Sequence, residues 1–396
     1  DNETMGRAIR FVSAHEVGHT IGLPHNFGSS SAYPVDSIRS KTFTKKYGIA
    51  PSIMDYARFN YIAQPGDEGV SLVIDVGPYD KYSTMWGYKP ILDKTAEEEK
   101  EVLNKWITER ADDLMFRFGS SSIDPSSQTE DLGNDAIKAS NYGIANLKRI
   151  IPNLIEWTTE DGENYDELQY LYGQVLSQFR RYLGHVSTNV GGVYQYYKTS
   201  DQEGAVYTHV EKNHQKNCIK FLNKNLFETP TWVINKNILD KIQFAGAVDQ
   251  VRGLQSSYLN RILDFGRLAR VIENEALNGS AAYSLDELLL DLKNGIFSEL
   301  KNNSNIDIYR RNIQRAFIQR LGYLMKENQN IPSFFRSSSS ITRVKVDESD
   351  IRSSTLGLLI DLRNELNKAQ KKYSSNKSVK NHLMYCVGLI NNILKG

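Results

Sequence analysis

The sequence predicts a mainly α-helical chain, α+β overall, that contains a single β-hairpin. Apolar residues recur at helical spacing from about Thr95 onward, and two capping boxes mark helix starts within that region. One stretch rich in Tyr and Val has the composition of paired strands. The first 94 residues differ because they are rich in Gly and Pro turn signals. We therefore predict two domains, residues 1–94 and residues 95–396.

The predicted helices follow in chain order. Thr95 and Glu98 form the first capping box, and Ser284 and Glu287 form the second. Between and beyond them the apolar spacing predicts helices over residues 135–157, broken near Pro152, and over 168–182, 251–275, 313–324, 350–371 and 379–394. Residues 193–197 and 205–210 predict the hairpin. Residues 328–347, with the serine run 337–340, are the best candidate for a linker.

Composition and charge limit the classes of partner. The chain has 396 residues, 40% of them hydrophobic, and its 48 Lys+Arg nearly balance 47 Asp+Glu. This balance argues against nucleic acid as the main partner, because phosphate binding needs a basic excess. No apolar run approaches the roughly 18 residues of a transmembrane helix. Cys218 and Cys386 are compatible with one disulfide or with two buried thiols.

The residues that carry chemistry lie close together near the beginning of the sequence. His15 and His19 are four positions apart, so on a helix they share one face and can bind the same Zn²⁺. Glu16 lies beside them, where its carboxylate can take a proton from water. Gly22 allows a sharp turn after the helix, which brings His25 back as a third ligand. Three protein ligands and an open position are typical of a catalytic zinc site.

An alternative explanation is a buried helix whose histidines are satisfied by ordinary hydrogen bonds. Three of the seven histidines in the chain fall within residues 15–25. An HExxH pattern alone occurs by chance in about one chain in a hundred of this size. The additional Gly22 and His25 make coincidence far rarer, so we favour the zinc site.

A second motif, Ser52 to Tyr56 with the sequence SIMDY, follows the zinc motif. The two motifs together resemble the metzincin clan of zinc peptidases, which combine an HExxHxxGxxH motif with a Met-turn. The resemblance implies that Met54 forms an apolar floor beneath the zinc-binding imidazoles. It also implies that Tyr56 reaches the metal or the oxyanion, as the tyrosine at this position does in some families of the clan.

The resemblance is closer to one bacterial family, the Met-zincins. It rests on the runs at residues 53–61, 63–67, 77–82 and 131–135, and it is strong in the first half of the chain and weak in the helical remainder. It implies a zinc-dependent metalloendopeptidase that acts on proteins or peptides and works outside the cytoplasm. It also implies the C-terminal part of a metzincin-like catalytic domain, followed by a helical domain that contains the hairpin.

Only fourteen residues precede His15, so the sheet that a complete metzincin domain has before its zinc helix is absent from this sequence. We expect a C-terminal fragment of a larger enzyme, with a missing N-terminal part, exposed apolar surface on the zinc helix and weak or no activity. Two other functions remain open. One is an inactive zinc-binding remnant whose helical domain binds proteins, and the other is hydrolysis of a non-peptide amide.

One acidic loop has two explanations. Asp124, Asp131, Asn134 and Asp135 are close in sequence and offer the oxygen ligands that Ca²⁺ prefers. Their spacing is not that of an EF-hand, and Asp and Asn also favour turns and helix caps. We favour turns and caps for this loop.

Overall fold

The chain is mainly helical in a computed structural model that describes residues 2–57, 59–120, 123–302, 304–332, 341–373 and 375–395. It forms two compact units. The first contains Asp1–Ile150 and Val193–Thr208, and the second contains Ile151–Gly192 and His209–Gly396. The predicted mainly helical fold with a small two-stranded sheet is confirmed. The domain division at residue 94 stays a prediction, and the compact units do not coincide with it.

The first unit combines helices with long irregular segments. Its helices are α1 (Asn2–Thr20), α2 (Val35–Ile38), α3 (Lys41–Tyr47), α4 (Pro78–Tyr88), α5 (Ala96–Thr108) and α6 (Ala136–Ile150). Helix α1 packs through Phe11 on a core that includes Ile38, Met54, Ile62 and Leu132. Much of this core comes from loops, so the fold depends strongly on specific polar contacts between them.

Two strands form the predicted hairpin. They are β1 (Val193–Gln195) and β2 (Tyr207–His209), and the Tyr196 amide beyond β1 donates to the Val206 carbonyl over 2.8 Å. The β-branched and aromatic residues of this stretch are suited to a pleated surface, which is why the sequence indicated strands here.

The second unit is helical. Its helices are α7 (Leu154–Thr158), α8 (Asp166–Thr188), α9 (Lys212–Leu222), α10 (Lys236–Ile242), α11 (Ala247–Ile262), α12 (Phe265–Asn278), α13 (Leu285–Ile296), α14 (Glu299–Asn302), α15 (Ile308–Lys326), α16 (Asp350–Lys372) and α17 (Lys377–Leu394). Both predicted capping boxes are present, at the starts of α5 and α13. Cys218 and Cys386 are buried free thiols.

One helix prediction was wrong. Residues 251–275 do not form a single helix, because α11 ends at Ile262 and α12 begins at Phe265. Asp264 caps α12 by accepting hydrogen bonds from the Gly266 and Arg267 amides. An aspartate inside an apolar periodicity can start a new helix in this way, since its carboxylate satisfies amides that have no partner within the helix.

The predicted linker is only partly described. Residues 333–340, which include the serine run, lie outside the described residues. On either side, Gln329 bonds through its amide nitrogen to the Thr342 carbonyl at 2.9 Å and through its oxygen to the Val344 amide at 3.0 Å. The two described ends of this segment are therefore held together.

A buried ion pair connects several helices of the second unit. The Arg310 guanidinium pairs with the Glu299 carboxylate, and the side chains of both residues are almost fully buried. Arg310 also donates to the Gly295 and Ile296 carbonyls at the end of α13, each over 2.8 Å. Gln314 donates to the same Glu299 carboxylate over 3.1 Å. One guanidinium on α15 thus satisfies groups of α13 and α14.

We predict that Glu299→Gln lowers the stability of the second unit by about 3–5 kcal/mol, because it leaves a buried guanidinium without its counter-ion. The matched control is Glu348→Gln, which breaks an exposed pair with Lys345 and should change the unfolding midpoint little. Calorimetric melting of both variants measures the difference. Equal midpoints for the two variants would contradict the assigned role of Glu299.

Candidate metal centre

The end of α1 turns the chain back towards the helix. Gly22 has a φ of 88°, a left-handed conformation that glycine adopts without strain. Its amide donates to the His19 carbonyl, and the Leu23 amide donates to the Gly18 carbonyl, each over 3.0 Å. These two bonds are those of a Schellman motif. The turn predicted at Gly22 is therefore present, and it returns the chain so that His25 lies beside α1.

The imidazoles of His15, His19 and His25 converge on one point. Their ligand nitrogens all lie within 4.8 Å of one another, and the Nε2 atoms of His19 and His25 are 3.1 Å apart. Two nitrogens bound to one tetrahedral Zn²⁺ lie about 3.3 Å apart, given metal–nitrogen distances of about 2.0–2.1 Å. The spacing therefore fits one zinc ion.

Hydrogen bonds fix which nitrogen of each helical histidine is available. His15 donates through Nδ1 to the Ile53 carbonyl at 2.8 Å, and His19 donates through Nδ1 to the Leu23 carbonyl at 2.9 Å. Both protons are assigned to Nδ1 because a carbonyl can only accept, so Nε2 keeps its lone pair. The Nε2 atom of His15 is buried and has no hydrogen-bond partner among the residues that the structure describes. A buried acceptor with no donor is explained by a metal ion, so the three residues fit zinc.

The electrostatic environment keeps the third histidine neutral. Burial lowers the pKa of His25, and the neighbouring imidazoles of His19 and His15 lower it further. The carboxylate of Glu16 opposes this effect and raises the pKa of His25, which indicates that Glu16 lies close to the cluster. Neutral imidazole is the form that binds a metal.

Met54 lies directly beneath the helix that carries two of the histidines. It is fully buried, and a Cβ atom built on Gly18 would lie only 2.4 Å from its sulfur. The absence of a side chain at Gly18 therefore lets the thioether rest against the backbone between His15 and His19. The Met54 carbonyl accepts a hydrogen bond from the Asn26 amide at 3.0 Å, which ties the turn to the residue after His25.

Asp80 holds the Met54 turn in place. Its carboxylate accepts hydrogen bonds from the Ser52 hydroxyl at 2.6 Å and from the Ile53 and Gly77 amides, each at 2.7 Å. Burial raises the pKa of Asp80, and these donors oppose the rise. Because the Ile53 carbonyl binds His15, Asp80 acts on the cluster through the turn.

Two aromatic side chains extend the cluster. The Tyr56 ring lies 5.3 Å from the His15 ring and 4.8 Å from the His25 ring, measured between centroids. Phe27 stacks on both His25 and Tyr56, at 5.1 Å and 5.7 Å. Tyr56 thus lies where the sequence predicted it, next to the histidines. Phe27, Asn26 and Asp80 were not predicted as site residues.

A sequence comparison agrees with this geometry. A profile of the family described as Met-zincin matches residues 1–304. This chain belongs to the Met-zincin family. The resemblance inferred from the sequence is therefore confirmed. Comparisons with curated proteins and with solved structures give no match.

The surface of α1 in this Met-zincin carries apolar side chains, as expected from the sequence. Met5, Ile9, Val12 and Val17 each expose more than half of their surface. The described residues contain no helix that is both long and apolar enough to cross a membrane.

A cavity of about 450 Å³ lies within the first unit. Its lining includes Tyr82, Trp86, Arg110, Phe116 and Tyr197. The chain that follows Phe116 is hydrogen-bonded to the chain that follows His25. The Gly28 amide donates to the Gly119 carbonyl over 2.9 Å. The cavity is thus aromatic and partly cationic, and it has the size to receive one or two side chains.

The acidic residues of this loop have different roles. Asp124 accepts from the Ser126 amide in a local turn and also pairs with Arg117. Asp135 caps α6 by accepting from the amides of its first turn, whereas Asn134 accepts from the distant Val35 amide. Oδ1 of Asp131 is buried and makes no well-formed hydrogen bond to a described residue.

We predict that Asp80→Asn weakens zinc binding by about 10–100-fold, because an amide cannot accept three hydrogen bonds in place of the carboxylate. Competition with a chromogenic zinc chelator measures the affinity. Asp75→Asn is the control, since Asp75 is half exposed and pairs with Arg7 at the surface. An affinity in Asp80→Asn equal to that of the control would show that the turn does not need its carboxylate.

Proposed function

We propose that this Met-zincin is a zinc-dependent metalloendopeptidase. The observation that carries the proposal is the convergence of three imidazoles, with the buried Nε2 of His15 left without a hydrogen-bond partner in the described part of the chain. His15, His19 and His25 are the proposed zinc ligands. The family supports a peptidase-like role, and the adjacent Glu16 supplies the carboxylate that hydrolysis needs.

His15, His19 and His25 would hold the zinc, which would supply a Lewis acid able to lower the pKa of water towards about 7 and to polarise a carbonyl group. Glu16 takes a proton from the attacking water as general base and then passes it to the leaving amine nitrogen. Tyr56 donates a hydrogen bond to the oxygen that becomes negative in the transition state, an interaction worth about 3–4 kcal/mol in other hydrolases. Met54 supplies the apolar floor that fixes the positions of the His15 and His19 rings relative to each other.

The proposed substrate is a protein or peptide held in the metal centre, with a side chain in the aromatic cavity. Arg110 lies over the Tyr82 and Phe116 rings there, so the cavity offers both aromatic and cationic contacts. We propose an extracytoplasmic location, in keeping with the metzincin clan. That a further N-terminal part completes the catalytic domain stays a prediction.

The main alternative is an inactive zinc-binding protein whose second unit serves protein interaction. A metal with a purely structural role is usually enclosed by four protein ligands. Here three histidines converge and a carboxylate lies close to them, an arrangement that favours catalysis. Hydrolysis of a non-peptide amide would use the same residues, and comparing a peptide library with acylated amines separates the two reactions.

We predict about one zinc per chain in purified protein and almost none in His19→Ala, because two imidazoles bind the metal too weakly. Elemental mass spectrometry measures the ratio. His214→Ala is the matched control, since His214 lies in the second unit and bonds to Asn189. Similar zinc contents in His19→Ala and His214→Ala would place the metal elsewhere.

We predict that Glu16→Gln keeps its zinc but loses peptide cleavage by about 10²–10⁴-fold, because the amide cannot accept a proton. Glu3→Gln is the control on the same helix, one exposed glutamate for another. Both variants are assayed with a broad peptide library at matched zinc content. Unchanged cleavage in Glu16→Gln would remove Glu16 from the mechanism.

A further inference from the structure

Three buried oxygen atoms near the Met54 turn make no well-formed hydrogen bond to any residue that the structure describes. They are Oδ1 of Asp55, Oδ1 of Asp131 and Oγ of Ser30. Asp55 and Ser30 are 0% exposed and Asp131 is 6% exposed. A buried polar atom without a partner costs free energy, and a buried carboxylate without a counter-charge costs much more. The two carboxyl groups therefore need a proton, a water molecule or an ion to satisfy them.

Backbone contacts bring these three residues together around Ser30. The Ser30 amide donates to Oδ2 of Asp55 at 2.7 Å, and the Ser29 hydroxyl donates to the same oxygen at 3.1 Å. The Ser30 carbonyl accepts from the Gly133 amide at 3.2 Å, which places the segment that contains Asp131 against Ser30. Hydrogen bonding by the Ser30 hydroxyl lowers the pKa of both carboxyls, so this hydroxyl lies close to each of them although its geometry to neither is that of a well-formed bond.

The charges of this pair are not balanced by the protein. Asp124, the next acid in this region, is paired with Arg117 and accepts from the Ser126 amide and hydroxyl. No described residue forms such an ion pair with Asp55 or Asp131. Burial raises the pKa of both carboxyls, and the charge of Asp55 raises that of Asp131 further. The pair therefore requires a proton or a cation.

We propose that Asp55, Asp131 and Ser30 form a Ca²⁺ site, separate from the histidine cluster. Two carboxylates and a hydroxyl are hard oxygen donors, which suit Ca²⁺ or Mg²⁺ and not zinc. Mg²⁺ usually keeps several of its waters, whereas Ca²⁺ accepts protein oxygens in flexible geometry. Because the three donor atoms are buried, the site favours Ca²⁺.

The proposed ion would connect two parts of the first unit. Asp55 lies between Met54 and Tyr56, and Asp131 lies in the segment that leads into α6. Ca²⁺ bound to both would hold the Met54 turn at a second point in addition to Asp80. This role does not depend on peptidase activity, so it can be tested whether or not the protein cleaves peptides.

The experiment compares thermal unfolding of the zinc-saturated protein in metal-scrubbed buffer with and without millimolar CaCl₂. We expect Ca²⁺ to raise the melting temperature by about 3 °C or more, and MgCl₂ to raise it less. Asp131→Asn and Ser30→Ala should abolish or reduce the rise. Asp36→Asn, which alters an exposed carboxylate of the same unit, should keep it in full.

A direct binding measurement covers the case in which Asp131→Asn fails to fold. Tb³⁺ replaces Ca²⁺ at oxygen sites, and its luminescence is excited through nearby tyrosines. Tyr61 accepts a hydrogen bond from the Leu132 amide at 3.1 Å, so it lies beside Asp131. We expect tyrosine-excited Tb³⁺ emission from the wild-type protein that Ca²⁺ displaces.

Three results would overturn the proposal. They are an unchanged melting temperature with Ca²⁺, a Ca²⁺ response that persists undiminished in both site variants, and equal responses to Ca²⁺ and Mg²⁺. Zinc content is measured on every sample. Loss of the histidine-bound metal is thereby distinguished from loss of the Ca²⁺ response, so failure of the zinc peptidase proposal and failure of this one are separate outcomes.

Discussion

The hydrogen bond from His15 Nδ1 to the Ile53 carbonyl is the contact on which the metal centre depends. It sets the tautomer of His15, and it joins α1 to the turn that contains Met54. The Ile53 carbonyl is correctly placed only because Asp80 binds the Ile53 amide and the Ser52 hydroxyl. A buried carboxylate on α4 therefore determines the orientation of an imidazole on α1. Such supporting contacts are what convert three nearby histidines into a preorganised ligand set.

Buried carboxylates take the place of regular secondary structure around this centre. Among the described residues between α3 and α4, β pairing is limited to an isolated bridge between Phe59 and Val73. Asp80 satisfies two backbone amides in this region, and Asp55 satisfies that of Ser30. A carboxylate can accept several hydrogen bonds at once, so one side chain can satisfy several backbone amides that a β-sheet would otherwise satisfy. Both oxygens of Asp80 accept hydrogen bonds, whereas Oδ1 of Asp55 makes no well-formed hydrogen bond to a described residue.

The sequence predicted what depends on local spacing and missed what depends on distant contacts. The ligand spacing of His15 and His19 follows from the helical repeat, and the turn at Gly22 follows from the conformational freedom of glycine, so both were predictable. The capping boxes at Thr95 and Ser284 were predictable for the same reason. Asp80 and Phe27 act across the fold, and no local pattern marks them as site residues. Two features of the sequence could have pointed to Asp80. It lies in the first turn of a helix after Gly77 and Pro78, and it belongs to a run that resembles the family.

The close contact between Gly18 and Met54 has a consequence for how this family can vary. Position 18 is one of the two unspecified positions of HExxH, yet any side chain there would collide with the Met54 sulfur. A change to alanine would require the Met54 thioether to move away or a smaller or differently shaped residue at position 54. Among homologues these two positions should therefore vary as a pair, although they are 36 residues apart in sequence. If the two positions vary together, the residue at position 18 of a homologue would indicate which residue lies beneath its imidazoles.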